Sequence, residues 1–150
     1  MLVYFDTCVH DRNYDDQRDQ AIVDDIADIA LIIKLCKFNG HHILGSRMVA
    51  LEHNGITDED LRESLNRQYE ETIDASVIIT AAIDERAQAL QAESVGYADS
   101  YHLAAAEAAG ATVLLTVDKK FIRVVERKKL SSVLVINPLT FLRKVYLWKR

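Results

Sequence analysis

The chain has little of what interrupts, crosslinks or anchors a fold. It holds one proline and five glycines in 150 residues, and no Ser-rich, Pro-rich or low-complexity stretch, so no linker divides it. No internal repeat is visible either. At 17.0 kDa it has the size of one compact domain and too little chain for two cores, so residues 1–150 read as a single domain. Two cysteines, Cys8 and Cys36, make no disulfide framework and are expected as free thiols. Apolar runs grow no longer than Ile29 to Ile33, far below the roughly 20 residues that span a bilayer. Met1 to Phe5 meets Asp6 without a basic flank or a small-residue cleavage site, so no signal peptide is read and the expected location is cytoplasmic.

Several chemistries are missing as well. There is no G-x-S-x-G elbow for a serine hydrolase. The glycines at positions 40, 45, 55, 96 and 110 form neither a P-loop nor a dinucleotide fingerprint. His10, His41, His42, His53 and His102, taken with the cysteines, offer no ligand pair at zinc-finger spacing.

What is present is an ordinary globular composition, 49% apolar and 27% charged, which excludes intrinsic disorder. The net charge of −5 conceals a division. Residues 1–118 carry 8 basic and 22 acidic side chains, whereas residues 119–150 carry 10 basic ones and only Glu126. An acidic body with a basic C-terminal segment suggests a polyanionic partner on one side, although the cations from Lys119 to Lys129 also suit a solvated helix.

Hydrophobic patterning gives alternating strands and helices. Leu2 to Phe5 reads as a buried strand. Asp15 to Phe38 reads as a helix with Ile22, Ile26, Ile29, Ile33 and Cys36 on one face, stopped by Asn39-Gly40. A weak strand from His41 to Leu44 leads into a helix from Arg47 to His53 capped by Ser46. Thr57 opens another helix that runs to about Glu71. Ser76 to Ile79 is a strand, Ala81 to Ser94 a helix, and Ala98 to Ala109 an alanine-rich helix closed by Gly110. Thr112 to Val117 is the clearest strand, Lys119 to Lys128 a helix, Val133 to Ile136 a strand, and Pro138 opens a last helix to Trp148. This alternation predicts a three-layer α/β/α fold with a central, mostly parallel sheet and functional groups beyond the carboxyl ends of its strands.

Four acids fall at such places. Asp6 and Asp118 follow strands, Asp99 starts the alanine-rich helix, and Glu52 lies on the short helix after the second strand. Taken singly, Asp6 suits a turn, Asp99 and Asp118 suit helix starts, and Glu52 suits a solvated helix face. Together, carboxylates from points up to 112 residues apart repel one another unless protonated or bridged by a hard divalent cation. Mg²⁺ or Mn²⁺ on such a cluster is the usual equipment for phosphodiester hydrolysis.

The segments Val3 to Thr7, Ser46 to Glu52, Tyr97 to Ala106 and Leu114 to Phe121, followed by Ile136-Asn137-Pro138, resemble the acidic motifs of PIN-domain ribonucleases in order and approximate spacing. The resemblance covers nearly the whole chain. It implies a metal-dependent endoribonuclease of the kind found as the toxin of VapBC-type toxin–antitoxin pairs, with Asp6, Glu52, Asp99 and Asp118 as both the Mg²⁺ or Mn²⁺ ligands and the catalytic set. Thr7, Ser100 and Thr116 then become supporting hydroxyls, and an antitoxin protein becomes the expected partner. Arg12, Lys119, Lys120 and Arg123 are the expected contacts to an RNA substrate. Two departures stand out: Cys8 where Asn or Ser is common, and no proline after Arg12 in the loop from Asp11 to Asp16. Two other readings compete with a nuclease: a binding module of the same fold without turnover, and a phosphoacceptor receiver domain. The latter needs an acidic pair at the first strand end, which Asp6-Thr7 does not supply. Phe141, Leu142, Val145, Tyr146 and Trp148 leave an apolar face for the body or for a second copy in a homodimer.

Overall fold

A computed structural model describes residues 1–146. Five strands, β1 (Leu2–Phe5), β2 (His42–Ser46), β3 (Ala75–Val77), β4 (Val113–Leu115) and β5 (Leu134–Ile136), form one parallel sheet in the order β3-β2-β1-β4-β5. Helices connect them: α1 (Thr7–His10) and α2 (Gln20–Phe38) after β1, α3 (Arg47–Asn54) and α4 (Glu59–Thr72) after β2, and α5 (Ala81–Ala92) and α6 (Tyr97–Ala108) after β3. α7 (Lys119–Lys128) follows β4, and α8 (Pro138–Phe141) follows β5 and runs on through wider π-helical turns over Leu142–Tyr146. The chain leaves β1 toward β2 and β3, then crosses to β4 on the other flank, so the order reverses between β1 and β4. Phe5 pairs in register with Leu115 there, and both strands release their next residues at one point. That point is the switch position at which parallel sheets bind ligands.

Alternation along β1 builds two cores. Tyr4 enters the layer made by α5, α6 and α7, whereas Val3 and Phe5 enter the layer made by α2 and α8. Parallel strands buried on both faces read as continuous apolar runs, as Val113–Leu115 does. The alanine-rich stretch of α6 buries Ala104, Ala105 and Ala106, whose small side chains let this helix lie close to the sheet.

Local chemistry sets the element boundaries, and it departs from the sequence pattern in several places. α2 begins at Gln20 rather than Asp15 because the Asp19 side chain accepts the Ala21 N–H, while Asp16 is occupied by Arg18 in a turn. Its buried stripe is Ile29, Ile32 and Cys36, with Ile22, Ile26 and Ile33 half-buried. Asp58, one position beyond Thr57, caps α4 through the Leu61 N–H. Ser46 caps α3 as expected, and α7 has the expected bounds. At the C-terminus, the Asn137 side chain accepts the Thr140 N–H ahead of Pro138, and Phe141 is fully buried. Leu142 and Val145 pack against the α2 core, so their part of this face is covered by the body; the Tyr146 side chain and Trp148 lie outside what is described.

His10 is a polar intrusion in that second core. It is buried, with its ring against Phe5 and edge-on to Tyr69, and neither ring nitrogen makes a hydrogen bond of normal geometry among the described residues, the Phe5 backbone offering only a weak interaction. Burial, reinforced by His102 and His53, drives its pKa down to about 3.

Candidate metal centre

Asp6 occupies the N-cap position of α1, yet its side chain does not cap that helix. Its Oδ2 instead accepts the Thr116 hydroxyl at 2.7 Å and the Cys8 thiol at 3.1 Å. The Asp6 N–H donates to the Leu115 carbonyl, continuing the β1–β4 ladder and setting Asp6 beside Thr116. Thr116 Oγ1 also accepts the Asp118 N–H at 3.1 Å, so one hydroxyl ties together both strand ends. Asp118 combines two roles that the sequence left as alternatives: its Oδ1 accepts the Phe121 N–H as the cap of α7, and its carboxyl faces the same cleft as Asp6.

That cleft, about 370 Å³ in volume, is lined by Asp6, Glu52, Asp99 and Asp118 together with Asp11 and Asp15. The four sequence-chosen acids thus come to one opening from the residue after β1, from α3 and α6, and from the cap of α7. Burial and the charges of Asp6 and Asp118 push the Asp99 carboxyl up to about 7. Glu52 behaves in the opposite way: burial pushes it up, but hydrogen bonds from His102 and Thr7 outweigh that and hold it below the ordinary carboxylate range.

Among the described residues, Asp6, Glu52 and His102 form a group whose ligand atoms all lie within 4.8 Å of one another. His102 Nε2 stands 2.6 Å from Glu52 Oε1 and 3.3 Å from Asp6 Oδ1, fully buried. Burial pushes its pKa down, but Asp6 and Glu52 outweigh that and raise it above the ordinary histidine value. Zinc-finger spacing had no use for this histidine. The signal that finds it is its place three residues after Asp99, one turn along the same helix.

The supporting residues divide. Thr7 donates to Glu52 Oε1 at 2.7 Å and Thr116 holds Asp6, but Ser100 turns away: its hydroxyl donates to the Tyr97 carbonyl and accepts from Gln91. Of the expected substrate contacts, Arg12 is engaged by Asp25 and Asp15 at 2.9 and 3.0 Å, which leaves little of its charge for a ligand. Lys119, Lys120 and Arg123 are exposed on α7 and make no ion pair among the described residues, and Lys120 shares a shallow groove with Asp99 and Asp118. Cys8 and Asp11 were not chosen from the sequence. Cys8 binds Asp6, and Asp11 holds the buried His53 at 2.8 Å, fastening the α1 end to α3.

A parallel sheet with carboxylates converging beyond its switch point defines an α/β domain built round an acidic cleft. The chain belongs to the PIN domain family, whose model matches residues 12–127. Members of that family are generally nucleases. None of the curated proteins matches the sequence. Among solved structures, the fold is shared with VapBC2 from Rickettsia felis bound to a DNA fragment from their promoter, at 17% identity and a TM-score of 0.58, covering 91% of this chain and 98% of that one. FitAcB from Neisseria gonorrhoeae is similar at 15% identity and a TM-score of 0.56, with the same coverage. At these identities the likeness is one of fold. No helix among the described residues is long and apolar enough to cross a membrane.

Proposed function

We propose that this protein is a divalent-cation-dependent endoribonuclease, the toxin half of a toxin–antitoxin pair, with Asp6, Glu52, Asp99 and Asp118 holding Mg²⁺ or Mn²⁺. The observation that carries this reading is the convergence of four acids on one cleft, where burial, with the charges of Asp6 and Asp118 added, raises Asp99 to about 7. A donor set of carboxylate oxygens is the kind that hard cations take, and a cation relieves the same repulsion that raises Asp99. When bound, it supplies charge neutralisation at the scissile phosphate and favours ionisation of the attacking water. The chain's own residues do the rest. Thr116 and Cys8 fix one oxygen of Asp6, Thr7 and His102 fix one oxygen of Glu52, and the Phe121 N–H holds one oxygen of Asp118. Incubation with a fluorescent RNA is expected to give cleavage that Mn²⁺ supports and a chelator stops; intact RNA under both conditions would leave the binding-module reading in its place.

The exposed cations of α7 follow Asp118 directly and suit phosphates entering the cleft. Replacing Lys119 and Lys120 by Ala is expected to weaken RNA binding and to flatten its salt dependence. Each lost phosphate contact lowers the slope of log affinity against log salt by roughly 0.7 to 0.9. A slope identical to that of the parent, measured by filter binding across a salt series, returns these lysines to a solvated face.

The fold likeness to VapBC2 and FitAcB supports a toxin role with a cognate antitoxin over the acidic opening. Expression of the parent alone is then expected to arrest growth, and expression of Asp6→Asn is not. Equal growth of both strains with soluble protein in each would remove the toxin reading while leaving nuclease activity to the RNA assay.

A further inference from the structure

The oxygens of Glu52 are used unequally. Oε1 receives both the Thr7 hydroxyl at 2.7 Å and His102 Nε2 at 2.6 Å, while Oε2 has no hydrogen bond among the described residues. Behind His102 stands a chain of buried hydroxyls. Its Nδ1 lies 2.6 Å from the Tyr4 hydroxyl, which lies 2.7 Å from Ser46 Oγ, and Ser46 Oγ accepts the Met48 N–H at 3.2 Å. Tyr4, Ser46 and His102 are each fully buried. One polarity uses every donor once: Met48 N–H to Ser46, Ser46 O–H to Tyr4, Tyr4 O–H to Nδ1, and Nε2–H to Glu52. Tyr4 belongs to the central strand and His102 to α6, so two rigid elements determine where a carboxylate on α3 points.

We propose that Ser46, Tyr4 and His102 form a positioning strut that pins Oε1 of Glu52 and so turns Oε2 into the cleft for a divalent cation. This rests on the cation site of the proposed function and adds what aims it. His102 is a positioning residue here, acting through Glu52 rather than as a ligand itself. Partners that orient metal-binding side chains change affinity by roughly 10–100-fold when removed.

Mn²⁺ is the probe, with its dissociation constant measured by calorimetry and melting followed in chelator and in Mn²⁺. Tyr4→Phe keeps the ring and removes the hydroxyl, and is expected to weaken Mn²⁺ binding about tenfold. His102→Leu is expected to do at least as much, whereas His102→Gln, which retains a donor near the Nε2 position, is expected to stay within about threefold of the parent if it aims Glu52 as the imidazole does. In a Glu52→Gln background, Tyr4→Phe and His102→Leu are each expected to add less than about twofold, because the group they aim is gone. A merely structural strut gives a different result: lower melting in chelator and an unchanged Mn²⁺ constant, which overturns the proposal. A further tenfold loss from His102→Leu on top of Glu52→Gln also overturns it, by making the imidazole a ligand. No Mn²⁺ binding by the parent overturns the cation site itself together with the strut, and is told apart because it precedes any substitution.

Discussion

Asp99→Asn is expected to lose RNA cleavage by about 100-fold or more and yet to melt higher than the parent in chelator at pH 8. The substitution preserves size and removes one charge from the cleft. Asp99 titrates near 7 in the folded chain against about 4 when unfolded, so the folded state binds the extra proton over that interval. Stability therefore falls as pH rises from about 4 to 7, and the cost is complete above 7. Discounted for partial solvent screening, it is on the order of 2 kcal/mol, or roughly 5 °C in melting temperature. The advantage of Asp99→Asn should shrink toward pH 4.5, where the parent carboxyl is protonated. Mn²⁺ should invert the order, because binding to the folded state stabilises according to affinity and the variant has lost a ligand. An acid that served only the first turn of α6 would behave otherwise, with cleavage retained and about 1 kcal/mol of stability lost.

The second large effect belongs to His10. A histidine held neutral to about pH 3 in the fold but protonated near 6.5 when unfolded makes the unfolded chain bind the extra proton between those values. Stability from this group is present above about 6.5 and is lost as pH falls, amounting to roughly 3 kcal/mol by pH 4. His10→Leu abolishes the titration and replaces two poorly satisfied ring nitrogens with an apolar side chain beside Phe5, Val9 and Ile29. Its melting temperature is expected to exceed that of the parent at pH 7 and to pull further ahead toward pH 4. Acid limbs of equal steepness in the two proteins would contradict a neutral, buried imidazole.

The sheet was legible in the sequence because its strands are short-range apolar patterns, whereas each acid alone suited a turn, a cap or a solvated face and only the four with their flanking segments pointed to one cleft. Leu2–Phe5 is an apolar run that must be buried, and the acid after it falls where a parallel strand ends. α7 shows its cap, its apolar stripe and its basic tail between Asp118 and Lys128. α1 shows none of these, being four residues long and too short for a period to register. The start of α2 was hidden by competition among Asp15, Asp16 and Asp19, any of which can cap, and Arg18 decides it by occupying Asp16. The strut lay out of reach because its members sit up to 98 positions apart and none is unusual alone: a tyrosine in a strand, a serine cap, a histidine on a helix. Ser100 failed as a supporting hydroxyl because one residue along a helix turns a side chain by about 100°, from the cleft toward α5.

The pairing of β1 with β4 has a consequence in time as well as in space. Phe5 meets Leu115 across 110 positions, and every residue of α2 to α6 is made between them. A chain growing from its N-terminus makes Asp6 before any of these, and β4, the strand that sets Thr116 beside it, is made only after α6. Until then the acids sit on separate elements, with no Thr116 hydroxyl to tie Asp6 to the Asp118 backbone. The cleft is therefore assembled late along the chain, because Asp118 joins the side chains gathered from β1, α3 and α6 only after β4 has brought the two halves of the sheet together.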